Sequence, residues 1–276
     1  PSTDEMVFFN PKAGVTMNLN NGISTYLSFA VANKEPSSDD YTESTPNSRP
    51  KHEQLYNLET GVRHTTSKFN GGLNFYYMNY VDQLVLTGQV NDVGNYTRVN
   101  IDKSYRAGIE LDASYQLNPK IRLIGNLTMS ENKISEFNEF IDNYDTGIQE
   151  VSTFKNSDIA FSPNLIGSFT FGVLPIKNLE TSIVTKYVGD QYLDNTSNDD
   201  KKLNGYANLN LVINYRIKPS IMKQILITGM VNNLLNEKYE SNGYTFSYIF
   251  GGEKTSENYY YPQAGINFLT KITFKF

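Results

Sequence analysis

Apolar and polar residues alternate one by one along most of this chain. From Tyr105 to Leu117, Tyr105, Ala107, Ile109, Leu111, Ala113, Tyr115 and Leu117 fall on one face, and Arg106, Gly108, Glu110, Asp112, Ser114 and Gln116 on the other. A period of two belongs to a β-strand, whose successive side chains point to opposite sides. Tyr206 to Arg216 repeats the pattern, with Leu209, Leu211, Ile213 and Tyr215 opposite Asn208, Asn210, Asn214 and Arg216. So does the end of the chain, where Ile266, Phe268, Thr270, Ile272, Phe274 and Phe276 alternate with Asn267, Leu269, Lys271, Thr273 and Lys275. The same reading predicts eleven strands, at about 12–19, 23–33, 54–65, 70–81, 104–117, 120–132, 164–175, 178–190, 204–217, 223–235 and 262–276.

The connections between these strands alternate short and long. Short ones are Asn20-Asn21-Gly22, Thr66-Ser67-Lys68, Asn118-Pro119-Lys120, Ile176-Lys177 and Lys218 to Met222; long ones cover about 34–53, 82–103, 133–163, 191–203 and 236–261. Asn-Gly, Asn-Pro and Lys-Pro are turn punctuation. A face that carries Arg106, Glu110 and Asp112 cannot meet a dry core cheaply, but it can line a wet lumen. Short turns at one end and long loops at the other are the rhythm of an up-and-down barrel in an outer membrane. The predicted fold is therefore all-β, an antiparallel up-and-down transmembrane β-barrel wall. In it Ile109, Leu111, Leu209, Leu211, Ile272 and Phe274 face lipid, and Arg106, Glu110, Asp112, Lys186, Asn208, Asn210, Arg216 and Lys271 face inward.

Composition adjusts this picture in a few places. The 276 residues include twenty Tyr and sixteen Phe, with no Trp and no Cys, and the formal net charge is −5. No cysteine means no disulfide, no thiol chemistry and no cysteine-bound metal. An acidic chain with scattered Lys and Arg has no electrostatic footprint for nucleic acid. Apolar runs are far too short for a transmembrane helix of about twenty residues. A polar mean hydropathy agrees with barrel strands, which put only alternate residues in lipid.

Strand parity gives an expectation about the ends. The last connection is long and hence extracellular, so the final strand runs down to a periplasmic carboxy terminus. Counting back, the first strand also runs downward from an extracellular amino terminus. Bacterial barrels close with an even strand number. Eleven strands with ends on opposite sides are therefore expected to be the carboxy-terminal part of a larger barrel, and no signal peptide stands at Pro1.

Several segments resemble the TonB-dependent outer-membrane receptors, of the type common in Bacteroidetes. Phe8-Phe9-Asn10-Pro11-Lys12-Ala13-Gly14 resembles a recurrent strand start of that family. Pro50-Lys51-His52-Glu53 with Leu58-Glu59-Thr60-Gly61 resembles its hairpin signal, and Ser104 to Leu111 a recurrent strand. Val231-Asn232-Asn233-Leu234-Leu235-Asn236-Glu237-Lys238-Tyr239 is similar to the segment before the last loop, and the terminal Phe276 to the family's aromatic ending. The resemblance implies a plugged barrel of about 22 strands, of which residues 1–276 would be the carboxy-terminal half. It also implies a plug domain and a TonB-engaging box outside this chain. Implied partners are outer-membrane lipid, the remaining half of the barrel, the TonB complex acting through the plug, and a small-molecule chelate.

Candidate sites follow from the loops. The last loop holds Tyr239, Tyr244, Phe246, Tyr248, Phe250, Tyr259, Tyr260 and Tyr261. Tyrosine offers large contact area at little entropic loss, and Tyr244 and Tyr248, in mid-loop, are the expected substrate contacts. The competing reading for any one of them is a girdle at the lipid headgroups. Asp190, Asp194, Asn195, Asn198, Asp199 and Asp200 give an oxygen-rich loop, and Asp142, Asn143 and Asp145 a smaller one. Neither has an ordered calcium-ligand spacing, so both read as solvated polar loops and no metal is expected. His52 and His64 lie at opposite ends of one strand, about 40 Å apart at about 3.3 Å per residue, and cannot share a metal. Single haem ligation by His52 is the minor alternative.

No nucleophile motif stands near either histidine and no glycine-rich phosphate loop opens a helix, so an enzyme is not expected and no cofactor is implied. The expected function is energy-coupled uptake of a scarce nutrient across the cell outer membrane of a Gram-negative bacterium. A ferric siderophore, haem or cobalamin is favoured, since the loops look too short for a glycan. The alternatives are an oligosaccharide importer with a lipoprotein lid and a passive porin.

Overall fold

The computed structural model describes residues 6–42, 49–90 and 95–276, with backbone only at residues 89 and 90. Pro1 and parts of the predicted 34–53 and 82–103 connections lie outside the described residues. Among the described residues there are sixteen strands. They are β1 (Lys12–Asn18), β2 (Ile23–Lys34), β3 (Glu53–Thr65), β4 (Phe69–Val90), β5 (Tyr96–Asn118), β6 (Ile121–Asn143), β7 (Ile148–Asp158) and β8 (Leu165–Val173). There follow β9 (Leu179–Val188), β10 (Gln191–Tyr192), β11 (Lys202–Leu203), β12 (Tyr206–Ile217), β13 (Gln224–Asn232), β14 (Glu240–Phe250), β15 (Glu253–Pro262) and β16 (Asn267–Lys275). One short helix, α1 (Ser38–Thr42), lies in the β2–β3 connection.

The main sheet runs β1-β2-β3-β4-β5-β6-β8-β9-β12-β13-β16, each strand antiparallel to its neighbours. These are the eleven predicted strands in their predicted order. The first hairpin turn takes Asn21 and Gly22 to φ 62 and 74, the left-handed region that favours Asn and Gly. A Cβ on Gly22 would also strike the Thr65 carbonyl oxygen.

Register carries each face across the whole sheet. Leu73 pairs with Leu111, which pairs with Leu127; Ile183 pairs with Leu211, which pairs with Val231, and that with Phe268. Phe274 closes the row beside Ile225. This face stands open, with Leu111 48% and Ile272 58% exposed. A continuous exposed apolar surface on this scale belongs in hydrocarbon. The opposite face carries Tyr26, Glu59, Arg63, Asn74, Arg106, Glu110, Asp112 and Lys186. Glycines there accept tyrosine rings from the neighbouring strand: a Cβ at Gly61 would meet Tyr26, and one at Gly108 would meet Tyr76.

The predicted long connections need correction. A hydrocarbon crossing takes about 9–11 residues, and β8, β9 and β16 are 9, 10 and 9 residues long. By contrast β4, β5 and β6 run for 22, 23 and 23 residues. They carry most of 82–103 and the start of 133–163 as strand, so the sheet continues well past the long-connection ends of β8, β9 and β16. Strand β7 folds back on the end of β6, and β14 and β15 form a hairpin within 236–261. The predicted last strand begins only at Asn267, because Glu253–Pro262 belongs to β15.

All buried apolar side chains of the described residues lie at this long-connection end. They are Leu84, Val85, Ile101, Ile134, Phe137, Ile141, Ile159, Ala160, Val188, Leu193 and Leu203. Val85, Ile101, Ile134, Phe137 and Ile159 form one cluster, with Phe154 packed against it. The wall is a single layer, whereas the outer extension has a core.

Candidate functional site

On the inner wall the residues predicted to face the lumen share one face and are largely paired within it. Asn74 donates to Glu110 at 3.1 Å and accepts from the Tyr26 hydroxyl at 2.6 Å. Arg63 pairs with Asp112 at 2.7 Å, and Arg216 with Glu180 at 2.8 Å. Arg106 donates to Asn132 at 3.2 Å and Ser162 at 3.0 Å. Asn208 donates to the Tyr239 hydroxyl, and Asn210 accepts from the Asn233 backbone N–H, both at 2.9 Å. Lys186 lies opposite Asn208, and Lys271 opposite Thr228. A recess of about 500 Å³ opens on this face, walled by Glu59, Asn74, Tyr76, Arg106 and Glu110 and roofed by Phe161 to Pro163.

The outer hairpin β14–β15 presents two unlike faces. Thr245 and Ser247 point one way and are buried, bonded to Asn258 and Ser256. Tyr244, Phe246 and Tyr248 point the other way, together with Tyr259 and Tyr261. Tyr244 stacks on Tyr259 at 4.8 Å with ring planes 8° apart, and Phe246 lies 6.0 Å from Tyr259. The Tyr248 and Tyr259 hydroxyls both donate to Glu257, at 2.9 and 2.6 Å. Those bonds hold the Glu257 carboxyl below its usual range and push both phenols up. The result is an aromatic ladder ending on a fixed negative charge.

Tyr248 and Ile249 pair with Asp142 and Asn143, at the far end of the 23-residue β6. Loop length no longer bears on ligand size, since β4, β5 and β6 extend the outer surface as strand whatever the loops between them. The two predicted histidines are each beside a phenylalanine, His52 by Phe8 and His64 by Phe69. Among the described residues, no cluster of three or more His, Cys, Asp or Glu is arranged to hold a metal.

The acidic loops are solvated at Asp142, Asp145, Asp190, Asn198, Asp199 and Asp200, as expected, but Asp194, Asn195 and Asn143 are buried. Lys201, only 1% exposed, pairs with Glu139 at 2.7 Å and Asp194 at 2.8 Å, and Lys254 reaches Glu139 at 3.0 Å. Burial pushes the Glu139 carboxyl up, but the two lysines outweigh it and leave it lowered. Buried Asn195 accepts from the Ala160 N–H and donates to the Leu86 carbonyl. Asp145 accepts the backbone N–H groups of Gly252 and Gly251 at 2.7 and 2.9 Å, and these bonds lower its pKa. Composition alone could not separate a buried acidic loop from a hydrated one; the signal was Lys201, a cation set among carboxylates and followed by Leu203.

A family model described as TonB dependent receptor-like, beta-barrel, matches residues 2–234. The chain belongs to the TonB-dependent receptor family. No curated protein matches it. Among solved structures, the copper transporter OprC is similar at TM-score 0.70 and 19% identity, covering 96% of this chain and 40% of its own. The siderophore receptor PiuA from Acinetobacter baumannii gives 0.68 and 15%, covering 96% and 35%. The ferric yersiniabactin uptake receptor FyuA from Yersinia pestis gives 0.62 and 18%, covering 95% and 37%. At such identities the likeness shows the fold, a many-stranded antiparallel barrel wall. The chain spans between a third and two fifths of these receptors' length. TonB-dependent receptors are transport receptors and not enzymes, which agrees with the absence of a catalytic motif.

Proposed function

We propose that this chain forms part of the wall and outer surface of an outer-membrane receptor for energy-coupled uptake of a scarce nutrient, with a ferric siderophore as the favoured substrate. The observation that carries this reading is the aromatic ladder on β14–β15, held above an apolar-faced wall in a chain of this family. Siderophore receptors among similar structures support the ligand class. Tyr244 and Tyr248 are the proposed substrate contacts. Arg106, Glu110, Asp112, Lys186, Asn208, Asn210 and Arg216 would face the plug, and TonB would act on that plug. Strand β1 pairs only with β2 and β16 only with β13 among the described residues, and further barrel strands would satisfy these two edges, which lipid cannot.

The test is direct binding by the intact receptor in detergent to a ferric catecholate, a ferric hydroxamate, haem, cobalamin and a set of oligosaccharides. Saturable binding of a ferric chelate is expected. Binding of an oligosaccharide alone would overturn the chelate reading and favour the glycan importer.

A further inference from the structure

In the outer extension the main sheet splits. Strands β5 and β6 pair as far as Ser104–Ile134. Continuing that register would set Lys103 against Ser135, Asp102 against Glu136 and Ile101 against Phe137. None of these pairs forms. Among the described residues, the strand neighbour of β5 beyond the split is β4 alone, and that of β6 is β7 until β14 joins it at Asp142 and Asn143.

Between the parted strands lies a cavity of about 490 Å³. Its walls are consecutive residues, 99–103 on one side and 135–138 with Phe140 on the other. A cavity lined by an unbroken run from each of two strands follows their backbone edges. Ile101 and Phe137 belong to the buried apolar cluster and close its floor. Its rim carries Asp102, Glu136 and Lys103, two carboxylates against one ammonium. Glu136 has Lys155 only at 4.0 Å, with both side chains largely exposed, so little of its charge is neutralised.

We propose that this slot binds an extended segment of a partner polypeptide, which adds as a strand between β5 and β6. Two unpaired edges facing one another offer backbone donors and acceptors on both sides, which is the chemistry of strand addition. The floor takes apolar side chains at alternate positions. The acidic excess on the rim selects a segment with a Lys or Arg among them, and the same charges discourage unselective edge pairing. This reading does not depend on the transported ligand.

The test is amide hydrogen exchange of the intact receptor with the probe peptide acetyl-Thr-Val-Lys-Val-Thr-amide. Without peptide, the alternate amides of 99–103 and 135–138 that point into the slot should exchange fast, while those directed at β4 and β7 are slow. At millimolar peptide the slot-facing amides should slow by about tenfold or more, as expected for edge amides that gain partners. The same peptide N-methylated at both valines should give no slowing. In the Asp102→Lys/Glu136→Lys variant the preference should pass to the peptide with Glu in place of Lys. Equal slowing by the N-methylated peptide, no slowing of the slot-facing amides, or slot-facing amides already slow without peptide would each overturn the proposal.

Discussion

In the wall, Ile109, Leu111, Phe169 and Ile272 stand exposed on a sheet one layer thick. In the extension, Ile134, Ile141, Leu193 and Leu203 are sealed to 2% exposure or less. The same strands, β4 to β6, pass through both regions, so strand formation is common to them and the surroundings differ. The wall relies on lipid to cover its apolar face and on pairs such as Arg63–Asp112 to occupy its wet face. The extension stands in water and must bury its own apolar groups, and it does so around Lys201, Glu139 and Asp194. Strands β4 to β6 thus run through both regions, although β5 and β6 part above Ser104–Ile134, and the stabilising surroundings change part-way up.

The sharpest way to break this comparison is Lys201→Met. It leaves Glu139 and Asp194 buried with one partner fewer, at a cost of about 3–5 kcal/mol. Proteolysis or exchange should show 134–160 and 191–203 loosened while the barrel still assembles. Loss of assembly in the same measure would mean the two regions are one cooperative unit. The reciprocal change, Ile109→Lys, puts a charge on the lipid face and should destabilise assembly by about 2–4 kcal/mol if Ile109 lies near the midplane. Phe140→Lys, on the exposed surface of the extension, should stay within about 0.5 kcal/mol. Equal effects at the two positions in a folding assay in vesicles would contradict the assigned lipid face.

A third substitution addresses function. Tyr244→Ala/Tyr248→Ala in the intact receptor should weaken ligand binding by about 1–3 kcal/mol, the usual range for a moderate aromatic anchor, with barrel assembly unchanged. Unaltered affinity would leave the ladder a structural stack. The mildest expectation concerns pH. Glu139 and Asp145 both have lowered folded-state pKa values. Their contribution is therefore complete above the unfolded carboxyl value of about 4 and fades as pH falls through the folded values. Acidification below about pH 4 should raise exchange at 139–145 and 251–254 before the wall responds. A wall that loosens first would reverse the ordering.

The wall was legible because a lipid face opposite a wet face imposes strict alternation, and β1, β2, β3 and β12 begin and end within two residues of their predicted bounds. Above the bilayer that constraint lapses. Leu84-Val85-Leu86 is a continuous apolar run, and Phe137-Asn138-Glu139-Phe140-Ile141 mixes apolar and charged residues without a period of two. Both are strand, yet neither advertises it, because their burial is decided by whichever loop folds over them. The inner-face residues were readable from parity, but their pairing partners were not. Arg63 meets Asp112 only because β4 places Gly72 between them, leaving room for the guanidinium.

The carboxylate of Asp145 ties the tip of the β6–β7 hairpin to the tip of β14–β15, across more than a hundred residues of sequence. With the β6–β14 pairing and the Lys254–Glu139 ion pair beneath it, this latch makes the two hairpins one finger. The ordering entropy of the outer surface is then spent during folding rather than on arrival of a ligand, and a preorganised surface retains more of its contact energy as affinity. There is an evolutionary corollary. A change in length of either hairpin breaks the latch unless the other changes with it, so the two tips are bound to diversify together.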